Sequence, residues 1–287
     1  MQQEPLIIWQ DNSHIAAERS DSASADYPLQ GIRVLDLTRV LAGPVASRFL
    51  ARFGADVLRV DPPHWEEPGV IPEVTLGKRC SGLDLAKNED RNRFERLLRD
   101  ADILLHGYRP GALAGLGYDR ASVLAINPGL IDVSLSAYGH SGPWATRRGF
   151  DSLVQMSCGI AEWGMQQAQS AEPQPLPVQA LDHATGYLMA AAAVRALRIR
   201  KEQKRILQAQ LSLARTALLL ATSQRNQLLS GANTKMQAAS ESDLDPWLEK
   251  TSWGTAKRLR FPARLAGMTT QWKRPATELR TTNAVWL

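Results

Sequence analysis

The side chain best placed to do chemistry is Asp182, between a Pro/Gln-rich stretch at 166–177 and an Ala-rich run, Asp182 to Arg198, whose composition predicts a helix. A carboxylate at a helix start has two physical uses. Ordinarily it is a cap, accepting a hydrogen bond from an unpaired first-turn amide and offsetting the positive end of the dipole. If instead it looks into a dry pocket, it can attack a carbonyl carbon, with helix N–H groups stabilising the oxyanion that forms. Gly186, one turn later, is expected to leave room for a substrate.

Other nucleophile arrangements are weaker. Gly139-His140-Ser141-Gly142-Pro143 puts a serine beside a histidine but does not match the Gly-x-Ser-x-Gly elbow, and a turn accounts for it. His14, His64, His106, His140 and His183 are dispersed, and Cys80 and Cys158 form no Cys-x-x-Cys pair, so neither a structural zinc nor a disulfide framework is expected. That cysteine usage fits a reducing, cytoplasmic setting. Gly111, Gly115 and Gly117 do not have dinucleotide-fingerprint spacing, and no P-loop sequence occurs.

The elements that must position Asp182 alternate in type. Short β-rich runs at Ile32 to Leu37, Asp56 to Val60, Asp102 to Leu105 and Leu130 to Leu135 are separated by stretches of helical period, which calls for a parallel sheet with crossover helices. Pro44 suits a first helical turn, with Val45, Phe49, Leu50 and Phe53 on one face and Gly54 as a stop. Asn88 is placed to cap a second helix whose Phe94, Leu97, Leu98 and Ala101 face inward. A third runs from about Asp119 to Ile126, and the Gly/Ser/Pro-rich loop from Ala137 to Gly149 follows its return strand, where ligands bind in such sheets. Asp151 to Trp163 and Leu213 to Leu229 read as helices and Lys204 to Ser212 as a strand. After Gly231 no convincing strand pair is visible.

A length of 287 residues with 44 % apolar side chains is enough for a sizeable core and excludes a disordered chain. The net charge of +5 is concentrated at one end, where residues 250–287 carry eight basic side chains against Glu278. Trp253, Trp272 and Trp286 lie in the same stretch. Together they raise a nucleic-acid surface, but no recognition motif accompanies them, and a solvated surface with Trp anchors is the expected reading. Residues 1–27 are acidic and lack an apolar period, and are expected to be a flexible leader. No apolar run approaches the length of a membrane span.

Several segments in order resemble the family III CoA-transferases, the group containing formyl-CoA transferase, carnitine-CoA transferase and the α-methylacyl-CoA racemases. They are Gly31-Ile-Arg-Val-Leu-Asp-Leu-Thr-Arg-Val-Leu-Ala-Gly-Pro44, Gly54-Ala-Asp-Val-Leu-Arg-Val-Asp-Pro62, Gly77-Lys-Arg79, Leu83-Asp-Leu85 and Arg109-Pro-Gly111, followed by Leu116-Gly-Tyr118, Asn127-Pro128, Tyr138-Gly139, Gly142-Pro143, Arg148-Gly-Phe-Asp151, Pro177-Val-Gln-Ala-Leu-Asp182 and Ser212-Leu-Ala-Arg-Thr-Ala217. The resemblance implies an α/β fold with a Rossmann-like parallel sheet and flanking helices, here with the small domain reduced or absent. It implies a CoA-binding and catalytic domain at 28–230, followed by a basic, Trp-containing segment at 231–287. It further implies a homodimer in an interlocked ring, with dependence on a second chain as the alternative.

On the same resemblance, Asp182 is the nucleophile. Leu41, Ala42, Leu83, Gly107, Tyr108, Arg109, Arg148, Gly149 and Asp151 are the CoA contacts, with Arg109 and Arg148 for phosphate. The implied reaction passes CoA from an acyl-CoA to a carboxylic acid through covalent aspartyl intermediates, with CoA as substrate and no metal or redox cofactor. Departures point elsewhere. His106-Gly107-Tyr108 replaces the family's Glu-Asn-Phe, and Phe150 stands where the racemases carry the histidine that exchanges an α-proton, so racemisation is disfavoured. Family members are commonly longer, which raises a truncated, non-catalytic CoA-binding subunit as one alternative; an α-methylacyl-CoA racemase is the other.

Overall fold

The computed structural model describes residues 4–12, 27–223, 238, 240–263, 265–266, 268 and 271–287. In chain order the elements are β1 (Ile8–Asp11), β2 (Arg33–Asp36), α1 (Ala42–Arg52), β3 (Asp56–Asp61), α2 (Ile71–Val74), β4 (Arg79–Gly82), α3 (Asn88–Asp100), β5 (Ile103–His106), α4 (Ala112–Gly115), α5 (Arg120–Ile126) and β6 (Ile131–Ser136). Then follow α6 (Asp151–Ser157), α7 (Ile160–Ala168), α8 (Ala180–Gln203), β7 (Leu207–Ser212), α9 (Leu213–Ser223), β8 (Leu244–Thr251) and β9 (Gly254–Leu259).

Seven strands form one sheet in the order β1-β7-β6-β5-β2-β3-β4, parallel throughout except for β1, which pairs antiparallel with β7. Strands buried on both faces have no wet side to keep polar, which is why the central ones read as continuous apolar runs. Their side chains alternate between two cores. Val34, Val57, Ile103, Leu105, Ile131 and Val133 pack under α1 and α8, while Leu35, Leu58 and Leu104 meet Phe94, Leu97 and Leu98 of α3 on the other face. The chain runs outward from β2 to β3 and β4, then returns to the other side of β2 for β5. Such a reversal leaves a crevice beyond the carboxyl ends of the two strands flanking it, here β2 and β5.

A buried ionic network lies beneath that crevice. Asp36 at the end of β2 accepts from Lys78 Nζ at 3.0 Å and from the Thr38 amide at 2.9 Å, with Ser47 as a further donor. Burial pushes the Asp36 carboxyl up, but Lys78 and the hydroxyls of Ser47 and Thr38 outweigh it, and Asp36 stays below the usual carboxylate range.

Several expectations need correction. Residues 8–11, assigned to a flexible leader, form β1 at the sheet edge; 1–3 and 13–26 lie outside the described residues. The single helix expected from Asp151 to Trp163 is two, because Gly159 adopts a left-handed φ of 81° that only glycine takes without strain. Asn88 begins α3 and does not cap it; Lys87 is the N-cap residue and makes no side-chain capping bond. After position 231 there is a strand pair, the β8–β9 hairpin, and beyond it Phe261 packs on Phe49 and Phe53 of the main core, with Trp272 edge-on to Phe261. The helix expected at Leu213 to Leu229 is α9 as far as Ser223; 224–229 lie outside the described residues.

Gly186 serves packing and not substrate access. A Cβ there would come within 2.4 Å of the Ala42 carbonyl oxygen and 2.7 Å of Val45 Cβ, so the bare glycine lets α8 lie directly on α1.

Candidate active site

The loops after β2, β5 and β6 enclose a cleft of about 460 Å³ at the crevice. The loop after β2 supplies Leu37 to Leu41, that after β5 supplies Gly107 to Pro110, and the Gly-rich loop after β6 supplies Arg147, Arg148, Gly149 and Phe150. Asp182 enters from the first turn of α8.

Asp182 is only 5 % exposed, and among the described residues its carboxylate accepts no hydrogen bond. The capping role falls to another acid. Asp151, the first residue of α6, is fully buried and accepts a 2.9 Å bond from the Asp182 amide, while Gln155 Nε2 donates to its second oxygen. Gln155 is fixed in turn by accepting the Leu176 amide at 2.7 Å. An acid brought from α6 therefore satisfies the α8 N-terminus, and the helix's own acid is left to the cleft. Burial pushes the Asp182 carboxyl up to about 7, with the Asp151 charge adding to the shift. A group so poised is about half ionised at neutral pH, and more basic than an ordinary carboxylate.

The charged side chains lining the cleft are Arg39, Arg109, Arg147, Arg148 and Asp182. Four guanidinium groups around one carboxylate favour a polyanionic ligand whose phosphates take paired N–H donors. The amino end of α1 also opens here through Leu41, Ala42 and Gly43, adding unpaired amides. Arg39 lies between two aromatic faces, 4.7 Å from the Trp65 ring centroid and 5.1 Å from that of Tyr108, and its Nη2 donates to the Tyr108 hydroxyl at 2.7 Å. Burial raises the Tyr108 phenol, keeping it protonated.

Of the residues singled out from sequence, Leu41, Ala42, Gly107, Tyr108, Arg109, Arg148, Gly149 and Asp182 line this one cleft. Two do not. Leu83 is buried in the α3-side core with Leu58 and Val60, and Asp151 stands behind Asp182. Arg39, Trp65 and Arg147 were not singled out, and Phe150 was named only as a departure from the racemases. Arg39 and Phe150 sit inside the quoted segments, whereas nothing in the Pro62 to Gly69 stretch marks Trp65 as a cleft residue.

The weaker nucleophile arrangements resolve as structural. His140 Nε2 bonds to the Leu211 carbonyl at 3.2 Å and the Ser141 amide to Glu4 at 2.8 Å, so this segment is an anchored turn. The Cys80 thiol, buried among β-strands, is pushed up to about 12 and is inert. His183 does not line the cleft, and burial, aided by Arg48, lowers its pKa.

A buried carboxylate thus faces an arginine-lined cleft at the switch point of a parallel sheet, the place where such sheets bind ligands. The sequence profile of CoA-transferase family III matches residues 29–275, and the chain belongs to that family. It is 35 % identical over 184 residues to the Mycobacterium tuberculosis protein named "Probable fatty acyl-CoA transferase Rv3272", a match covering 59 % of this chain and 46 % of that one. The crystal structure of Rv3272 superposes with a TM-score of 0.63 at 33 % identity, covering 72 % of this chain and 59 % of that one. The succinate–glutarate CoA-transferase of Agrobacterium fabrum is 33 % identical over 180 residues, or 56 % of this chain and 44 % of that protein. The chain thus spans less than half the length of these curated relatives.

Proposed function

We propose that this chain transfers coenzyme A from an acyl-CoA to a carboxylic acid, with Asp182 as the covalent nucleophile. The observation that carries the reading is the Asp182 carboxylate, buried, without a hydrogen-bond partner among the described residues, and facing a cleft ringed by four arginines.

An ionised Asp182 oxygen attacks the thioester carbonyl carbon, the C–S bond breaks, and CoA leaves as its thiolate from an aspartyl acyl anhydride. The thiolate then attacks the aspartyl carbonyl of that anhydride, expelling the acyl group as a carboxylate and leaving an aspartyl-CoA thioester. The acceptor carboxylate repeats both steps in reverse order: it displaces CoA from Asp182 to form a new anhydride, and the thiolate takes the new acyl group, which frees Asp182. Each step conserves charge and needs no external oxidant or base. First-turn amides of α1, at Ala42 and Gly43, are the nearby donors for the oxyanions, and Arg109 and Arg148, both exposed at the cleft mouth, are assigned to the CoA phosphates.

Racemisation requires a proton-transferring side chain at the cleft. Position 150 offers a phenyl ring, 59 % exposed, and His183 lies outside the lining. The homodimer and the cytoplasmic setting belong to the same reading. Among the described residues no helix is long and apolar enough to cross a membrane.

The test is mass spectrometry of the protein incubated with a panel of acyl-CoAs and carboxylic acids, followed by hydroxylamine. An adduct on the peptide carrying Asp182, lost in Asp182→Asn, is expected. CoA binding without any adduct or exchange would replace the catalytic reading with that of a CoA-binding subunit, and deuterium wash-in at the α-carbon without CoA exchange would replace it with a racemase.

A further inference from the structure

Val40 stands in the middle of the cleft loop with a φ of 67°. For a β-branched residue this left-handed conformation is a genuine outlier, and it persists only where surrounding contacts over-determine it. The Val40 amide donates to Glu67 Oε2 at 2.9 Å, and the other Glu67 oxygen accepts from Arg59 Nη2. Arg59 is itself fully buried and anchored to Asp61 by two bonds of 2.8 and 3.0 Å. On the inner side, the Thr38 amide is held by Asp36, so the loop is pinned on both sides of Arg39. Two residues before Glu67, Trp65 covers the Arg39 guanidinium. The segment from Pro62 to Gly69 thus grips the loop at two successive residues, Arg39 through a ring and Val40 through a carboxylate.

This grip matters because the gripped residues are wall. Seven consecutive positions, Leu37 to Gly43, line the cleft, whereas Glu67 does not and has a side chain only 7 % exposed. We propose that Glu67 is a positioning residue: its carboxylate holds Val40 in the left-handed conformation and thereby sets the main-chain shape that receives the CoA end of the substrate. The proposal rests on the reading of the cleft as a CoA site. Without the carboxylate, Val40 relaxes to negative φ, the Arg39 to Leu41 backbone turns, and the Trp65–Arg39–Tyr108 stack comes apart.

The test compares wild type, Glu67→Ala, Glu67→Gln and the double variant Val40→Gly/Glu67→Ala. CoA affinity is measured by calorimetry, amide hydrogen exchange is measured over residues 38–42 without ligand, and thermal unfolding is followed separately. Glu67→Ala should weaken CoA about tenfold and speed loop exchange. Glu67→Gln, which keeps an acceptor for the Val40 amide, should stay within about threefold of wild type and stands in if the alanine variant does not fold. Glycine takes positive φ freely, so the double variant should regain most of the CoA affinity while its melting temperature stays low, because Arg59 keeps Asp61 but still lacks its second carboxylate. Wild-type CoA affinity in Glu67→Ala, or weakened binding that the glycine does not restore, would overturn the proposal. If wild type itself binds no CoA, the proposed function fails, and unchanged loop exchange in Glu67→Ala would then overturn the positioning role on its own.

Discussion

The amide nitrogen of Asp182 donates a 2.9 Å hydrogen bond to the carboxylate of Asp151, so two acids from different helices share one helix start. One stabilises the helix end and the other is left facing the cleft. Their closeness also couples their charges, since Asp151 is one of the two causes that raise the Asp182 carboxyl.

The first expectation concerns pH. If transfer requires ionised Asp182, the rate at saturating acyl-CoA rises with pH through about 7 and levels above it. Stability moves the opposite way. With a folded value near 7 and an ordinary value of 3.8, the folded state holds an extra proton between them, so this contribution is full below about 4 and lost as pH climbs through 7. Asp182→Asn escapes that loss and should exceed wild type by about 4 kcal/mol at pH 8, with the gap narrowed to less than half at pH 5 and closed only below about pH 4. Urea denaturation at the two pH values measures it, and a gap that does not grow with pH would contradict the buried, ionising carboxyl.

Replacing Asp151 with asparagine removes the neighbouring charge while keeping an acceptor for the Asp182 amide. The midpoint of the pH–rate profile should shift down by about half a unit to one unit, and not further, because burial is the larger cause. Steady-state rates between pH 5 and 9 decide this.

At the α1–α8 contact, Gly186→Ala should destabilise the fold by about 1–3 kcal/mol, since the added methyl meets main chain that has no room to give. Chemical denaturation checks it. A neutral result would mean that the helices are not as close as described.

Arg109→Ala and Arg148→Ala should each weaken CoA about tenfold and flatten the salt dependence of binding, as expected when a charge-assisted phosphate contact is lost. Titrations at low and high salt separate this from a fold defect, which would weaken binding without changing its salt response.

How much of this was legible beforehand follows from where each signal resides. Strands β2 and β5 announced themselves through short apolar runs such as Ile103-Leu104-Leu105, which burial on both faces demands, and β3 and β6 through branched apolar residues set between polar ones. Strand β4 did not, since Arg79-Cys80-Ser81-Gly82 is held by its pairing with β3 and carries no branched apolar side chain. Strand β1 is four residues long in an acidic stretch, and it takes its conformation from the β7 edge. Within the site, Asp182 stood out as an acid at a helix start, whereas Leu41, Gly107, Tyr108, Arg109 and Arg148 were named only through the family resemblance, and the structure gathers them along one cleft. Leu83 was assigned to the ligand, yet its environment is core, a distinction that residue type alone does not draw. Glu67 left no local trace, because its role depends on a backbone angle twenty-seven residues away.

The last residues of the chain run along the free side of β4. The Thr282 amide and hydroxyl both reach the Cys80 carbonyl, Arg79 donates to the Val285 carbonyl, and the Trp286 indole N–H reaches Leu97. An outermost strand ordinarily offers its bare peptide groups to any extended chain that drifts past, the first step toward aggregation. Here that flank is already occupied. Trimming the chain before Thr282 would uncover it, and a shortened version would turn sticky while the cleft beyond the carboxyl ends of β2 and β5 kept its shape.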